Sequence, residues 1–210
     1  MRPRLVLLLA ALLGAWSAPA RADEPVTLPW QYGITFAGGA MQIGGLGFTE
    51  LGLQLRVGRA LTPTTRLVAT GDMLSSYRGD PDDLLMGETL RGTLGVDWDA
   101  GWFGDRGSIA GVITVNAGAG TELITWERGL VSRPIAYLGA QLGVGFLFPR
   151  GNPVVRGPRG LGMSFGVRGL VAPGIGRDKL PRAASSPPPA PGGPPVELGI
   201  LAYMGLDFGR

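Results

Sequence analysis

The sequence predicts an all-β protein: an eight-stranded, antiparallel, up-and-down transmembrane β-barrel. Three observations carry this. Apolar residues recur at every second position in eight separate segments, which is the side-chain period of a strand. The segments run to about 9–13 residues, longer than a usual globular strand and suited to a tilted strand crossing a bilayer. Beyond the N-terminal segment no stretch shows the 3.6-residue stripe of an amphipathic helix.

The N-terminal segment, MRPRLVLLLAALLGAWSAPARA, begins with Arg2 and Arg4, continues apolar from Leu5 to Trp16 and ends in Ala20-Arg21-Ala22. That order is expected of a secretory signal peptide cleaved after Ala22. Residues 1–22 are then a leader, and 23–210 form one barrel domain. The leader carries Arg2, Arg4 and Arg21 and no acid, so its removal takes the formal charge from +3 to zero. The high isoelectric point is therefore no argument for a nucleic-acid partner. The chain holds no Cys and no His. Disulfides, thiolate metal sites, Cys nucleophiles and the usual neutral-pH base are excluded with them. No cofactor is expected.

The strands read in order as follows. WQYGITFA places Trp30, Tyr32, Ile34 and Phe36 on one face. FTELGLQLRVG places Leu51, Leu53, Leu55 and Val57 opposite Glu50, Gln54 and Arg56. Between Thr65 and Ser75, Leu67, Ala69, Gly71 and Met73 oppose Arg66, Thr70 and Asp72. From Glu88 to Trp98, Leu90, Leu94, Val96 and Trp98 oppose Thr89, Arg91, Thr93 and Asp97. Residues 108–118 carry Ile109, Ile113, Val115 and Ala117. Residues 134–148 carry Ala136, Leu138, Ala140, Leu142, Val144, Phe146 and Phe148. Residues 160–172 set Leu161, Met163, Phe165, Val167 and Val171 against Ser164, Gly166 and Arg168. The terminal strand sets Val196, Leu198, Ile200, Ala202, Met204, Leu206 and Phe208 against Glu197 and Asp207.

Between these lie connections that read alternately short and long. Residues 59–64, 99–107 and 149–159 are turn-like, whereas 38–47, 76–83, 119–133 and 173–195 are longer. The alternation predicts periplasmic turns, external loops and both termini on the periplasmic side. LITWE (123–127) is read as an external extension of its hairpin. The acidic stretch GDPDD (79–83) reads as a solvated loop without EF-hand spacing. Residues 173–195 are proline-rich and read as a mobile, partly polyproline-II external loop.

The apolar face must meet either a core or lipid. A closed eight-stranded barrel is just wide enough for side chains to fill. Four to seven large residues from most strands would overfill it. The opposite face, rich in Gly, Ser and Thr, fits the inside. The lumen then holds Glu50, Arg56, Arg66, Asp72, Arg91, Asp97, Arg168, Glu197 and Asp207, which are expected to pair into a largely plugged network because unpaired buried charge is costly. Interior glycines are expected to leave room for water beside the arginines. Aromatics gather near strand ends: Trp30, Tyr32, Trp98, Phe146, Phe148 and Phe208 at the periplasmic end, as at a membrane interface. Phe36, Phe48, Tyr77 and Trp126 are assigned to the external end. Glu88 falls on the lipid-facing register and is placed at the external rim, or beside a bulge.

With its leader, eight alternating strands, external loops and terminal VELGILAYMGLDFGR, the chain resembles small bacterial outer-membrane β-barrel proteins of the OmpA/OmpX/OmpW type. The resemblance is architectural and spans nearly all of the mature chain. It implies the outer membrane of a Gram-negative bacterium, with lipid and lipopolysaccharide as surroundings. It also implies recognition of the last strand by the barrel-assembly machinery. In that pattern an aromatic is usually the final residue, whereas Gly209 and Arg210 follow Phe208 here. The expected role is non-enzymatic: structural, or surface-interacting through external loops, as a monomer or weak oligomer. A narrow channel for small solutes and a soluble periplasmic lipocalin-like barrel stay open as alternatives. Enzymes of this architecture (the lipid A deacylase, the palmitoyltransferase, the omptin proteases) use a His, and no G-x-S-x-G occurs here either.

Overall fold

A computed structural model describes residues 30–62, 64–78, 85–103, 109–126, 129–147, 160–176, 179–180 and 195–208. The leader, the acidic stretch 79–83 and most of the proline-rich connection lie outside the described residues. Eight strands follow one another: β1 (Trp30–Ile43), β2 (Leu46–Ala60), β3 (Thr65–Arg78), β4 (Leu85–Phe103), β5 (Ile109–Trp126), β6 (Gly129–Leu147), β7 (Gly160–Pro173) and β8 (Val196–Phe208). Each pairs antiparallel with its sequence neighbours, and β8 pairs with β1 to close the barrel. Closure gives every strand a partner on both sides, so no strand is an edge strand.

The register fixes the geometry. Following outward-facing partners from Trp30 through Arg59, Leu67, Val96, Ala117, Leu138, Gly169 and Ile200 returns to β1 at Ala40, ten residues above the start. For eight strands that stagger corresponds to a tilt of about 40–45°. The apolar stripes face outward: Phe36, Leu53, Leu94 and Leu138 are 50–65% exposed. The soluble alternative needed these stripes inside, so its geometry does not hold. One step past the belt on six strands, the outward residues turn polar: Gln42, Thr49, Ser75, Glu88, Thr125 and Ser132. Glu88 thus lies at the rim. Its register with β3 and β5 is continuous, and the bulge of β4 lies between Asp99 and Gly101, at the other end.

Above the polar row the two faces exchange character. Met41, Ile43, Phe48, Ile124, Trp126 and Val131 point inward and are buried. They belong to one apolar cluster with Leu74, Ile135, Leu170, Ala172 and Leu201. This exchange explains where the strand boundaries depart from the sequence reading. β1 and β2 continue through 38–47 to a two-residue turn at Gly44-Gly45. β5 and β6 continue through 119–133, so LITWE is strand up to Trp126. On the side of the termini, β6 and β7 are separated by residues 148–159, not by a tight turn. Connection length therefore does not alternate simply. Only the span from Gly174 to Pro195 is much longer than the rest.

Both turn glycines have positive φ, 60° at Gly44 and 73° at Gly45. A two-residue hairpin with φ > 0 at both centres matches the strand twist but disfavours any β-branched residue. Gly45→Val is expected to cost about 1–2 kcal/mol, read as a lower urea midpoint for unfolding from vesicles, while Gly44→Asn stays near wild type.

Candidate functional site

The tilted ladder lays side chains from successive strands in rows across the inner wall. One row runs Asp72 (β3), Arg91 (β4), Glu122 (β5), Arg133 (β6). Arg91 donates from Nε to Glu122 at 2.7 Å and reaches across the lumen to Glu50 of β2 at 2.6 Å. Arg133 donates from Nε to the other oxygen of Glu122 at 2.6 Å and also pairs with Glu197 of β8. The result is a chain, Glu50–Arg91–Glu122–Arg133–Glu197, of alternating charge across five strands. All five residues are buried. Glu197 also accepts from the Gly45 amide at 2.9 Å, which ties the girdle to the β1–β2 turn. Taking each ion out of water costs several kcal/mol, and the multiple contacts offset it.

Nearer the middle of the barrel, Arg168 is held between two aromatic faces. Its guanidinium carbon lies 4.5 Å from the Tyr137 ring centre and 4.8 Å from that of Tyr203. Cation–π attraction strengthens when water is excluded. Glycines make this possible: side chains at Gly95 or Gly118 would collide with Tyr137, at Gly166 with Tyr203, and at Gly139 with Arg168. The space left by these interior glycines is filled by tyrosine rings and the Arg168 stem.

Toward the termini the charges pair again. Arg56 meets Asp97, and Arg66 meets Asp99. Thr114 adds a 2.8 Å hydrogen bond to Asp99. Asp72 and Asp207 are served by amides: Gln54 donates to Asp72 at 2.7 Å, and Gln141 to Asp207 at 3.2 Å. The Gln141 carbonyl accepts from Arg56 at 2.6 Å.

The nine charges named from sequence all point inward, but their partners differ. Glu50 joins Arg91, and Arg56 joins Asp97. Glu197 and Arg66 take partners the sequence reading missed, Arg133 and Asp99. Glu122 was missed as well. The sequence reading puts Asp99 in a turn, and Glu122 and Arg133 in a loop. Yet Glu122, Ile124 and Trp126 keep period two with the strand before them, a usable signal. Among the described residues no cluster of His, Cys, Asp or Glu could hold a metal.

Of the interface aromatics, Trp30, Tyr32 and Phe208 are exposed at the end of the termini, with Tyr32 directly opposite Phe208. Arg59 lies 5.6 Å from the Trp30 ring centre. Trp98 is half-buried. The side chain of Phe146, and all of Phe148, lie outside the described residues. Phe48 and Trp126, assigned from sequence to the external girdle, instead face each other inside the lumen with ring centres 5.1 Å apart.

No sequence family matches the chain, and no curated protein does. Among solved structures it is similar to Neisserial surface protein A, with TM-score 0.52 and 9% identity over 86% of this chain and 97% of the other. Ail, the attachment invasion locus protein of Yersinia pestis, solved with the heparin analogue sucrose octasulfate, gives TM-score 0.44 and 14% identity over 87% of this chain and 100% of the other. The fold is that of a small outer-membrane β-barrel.

Glu122 is the shared carboxylate of two arginines. Removing one member of a buried pair leaves an uncompensated charge, so Glu122→Gln is expected to destabilise by about 3 kcal/mol. Glu88→Gln at the exposed rim is expected to change stability by less than about 0.5 kcal/mol. Urea titrations of both variants in the same vesicles check the contrast.

Proposed function

We propose that this chain is a non-enzymatic integral outer-membrane β-barrel with a structural or surface-interacting role exercised at its loop end. The observation that carries the reading is the filled lumen. The five-residue girdle, the Tyr137–Arg168–Tyr203 stack and the apolar cluster that includes both tyrosines place buried side chains across the lumen among the described residues. That arrangement favours a closed barrel over a solute channel. The carboxylates are engaged by arginines and amides, which favours a structural use of them over acid–base chemistry.

The outward apolar belt and its polar upper row support insertion in a bilayer with the termini in the periplasm and the long β7–β8 connection outside. On this reading the partners are lipids and lipopolysaccharide around the belt. The barrel-assembly machinery is a further partner, engaging the terminal strand during insertion.

The test has two steps. Envelope fractions run unboiled and boiled are expected to show an outer-membrane band whose mobility shifts with heating. The purified barrel in planar bilayers is then expected to give no stepwise conductance in concentrated KCl. Reproducible unitary steps from the wild-type protein would replace the closed-barrel reading with the channel one.

A further inference from the structure

The barrel closes where its first and last strands meet. The β1–β8 ladder runs from Tyr32–Phe208 to Met41–Gly199, ten residue pairs, and is the shortest of the eight. It also joins the strands farthest apart in sequence, so closing it carries the largest loop-closure cost. Side chains add little hold along it. β1 brings Gly33, Gly38 and Gly39 to the seam, and β8 brings Gly199 and Gly205. A side chain at Gly39 would strike the Ile200 carbonyl, and one at Gly205 the Ile34 carbonyl, so the close approach requires glycine there. Glycine offers nothing to a cross-strand pair and loses the most freedom on ordering. On the outer face Gly38 and Ala202 stand opposite each other in a shallow trough between Phe36, Met204 and Val167.

Beyond Met41–Gly199 the main-chain ladder stops and side chains continue the seam. The Leu198 amide donates to Gln42 Oε1 at 3.3 Å. Glu197 reaches farther: its Oε1 accepts from the amide of Gly45 at 2.9 Å, from a residue 152 positions away in the chain. Its other oxygen accepts from Arg133 of β6. Arg133 in turn donates to the Gln42 carbonyl of β1 at 3.4 Å and to the Pro173 carbonyl of β7 at 3.3 Å. Both ions are buried. One ion pair thus ties the loop ends of β1, β6, β7 and β8 together from inside the lumen.

We propose that the β1–β8 seam is the joint at which the closed barrel opens first, and that Glu197, held by Arg133, is the latch that keeps it shut. The bond from Gly45 to Glu197 exists only when β8 lies against β1. It therefore forms after β8 docks, and it slows reopening more than it speeds closure. The far end of the girdle supplies the comparison. Glu50 is also buried and pairs with Arg91, but it links β2 to β4 and does not cross the seam.

Amide hydrogen exchange of folded barrels in phosphatidylcholine vesicles reads local opening strand by strand. Glu197→Ala is expected to speed exchange of the amides that bond across the seam, in Phe36–Met41 and Gly199–Met204, by about tenfold or more over wild type. The β3–β4 ladder is expected to change much less. Glu50→Ala removes a carboxylate from the same girdle and is expected to spare the seam. The chain has no cysteine, so Ala40→Cys with Ile200→Cys, paired near the loop end of the seam, can seal it. Oxidised Glu197→Ala barrels with this pair are expected to exchange at the seam as slowly as wild type, and to lose that protection on reduction.

Uniform acceleration in every strand would mean that Glu197 supports the barrel as a whole, and would overturn the latch. So would unchanged seam amides, equal opening of the seam in Glu50→Ala, or fast exchange that persists in the sealed barrel. Each variant is first checked for heat-shifted mobility. Should Glu197→Ala fail to fold, Glu197→Gln keeps one acceptor oxygen for Gly45 and is expected to give a smaller acceleration confined to the seam. Acceleration spread over all strands in that variant would equally overturn the latch.

Discussion

Seven carboxylates and five guanidiniums among the described residues are sealed inside a lumen only eight strands wide, and much of the structure is a response to that. An ion in such a space must be paired, hydrogen-bonded or stacked. The lumen uses all three. The girdle alternates acid and base so that Glu122 serves two arginines. Gln54 and Gln141 complete Asp72 and Asp207. Arg168 has no carboxylate among its described contacts and lies between two ring faces. The same charges police the register. A one-residue slip of any strand that carries them would send its ions into lipid and its apolar residues into the lumen. The charges therefore specify the pairing as well as occupy the interior.

Volume is the second half of that constraint. Ion pairs alone cannot fill the cross-section, and large side chains on every inward position would overfill it. The barrel alternates instead. Glycines at 95, 118, 139 and 166 yield space to Tyr137, Tyr203 and Arg168, which come from facing or neighbouring strands. Above the girdle the filling changes from polar to apolar. There the wall has left the bilayer, the outer face turns to water or headgroups, and the inner face can behave as an ordinary protein core.

That change of medium decided what could be read from sequence. Inside the belt the outer face is apolar while the inner face is mostly polar, small or glycine, with a few inward apolar residues such as Val68, Val112 and Leu201, so eight strands, their facing and nine lumen charges were legible from period two. Above the belt the rule inverts. Met41, Ile43, Phe48, Ile124 and Trp126 then looked like loop or girdle residues because they broke the stripe. Glu122 and Arg133 were lost with them. Partner identity was illegible for another reason. Glu50 and Arg91 sit on β2 and β4, which are not neighbours, and their meeting depends on a stagger accumulated around the whole barrel. Sidedness inferred from loop length was weak because Gly44-Gly45 can turn a chain in two residues.

Above Ala136, β6 parts from β7 and runs on with β5 alone, and this break follows from the same change of medium. An unpaired strand segment deep in hydrocarbon would leave N–H and C=O groups without partners, at several kcal/mol each. Here the break begins only at the upper edge of the belt. Pro134 removes one donor, and Arg133 supplies one to the Pro173 carbonyl. Arg133 can do this because Glu122 and Glu197 already neutralise it, so the girdle that closes the lumen also steadies the strand that leaves the ladder.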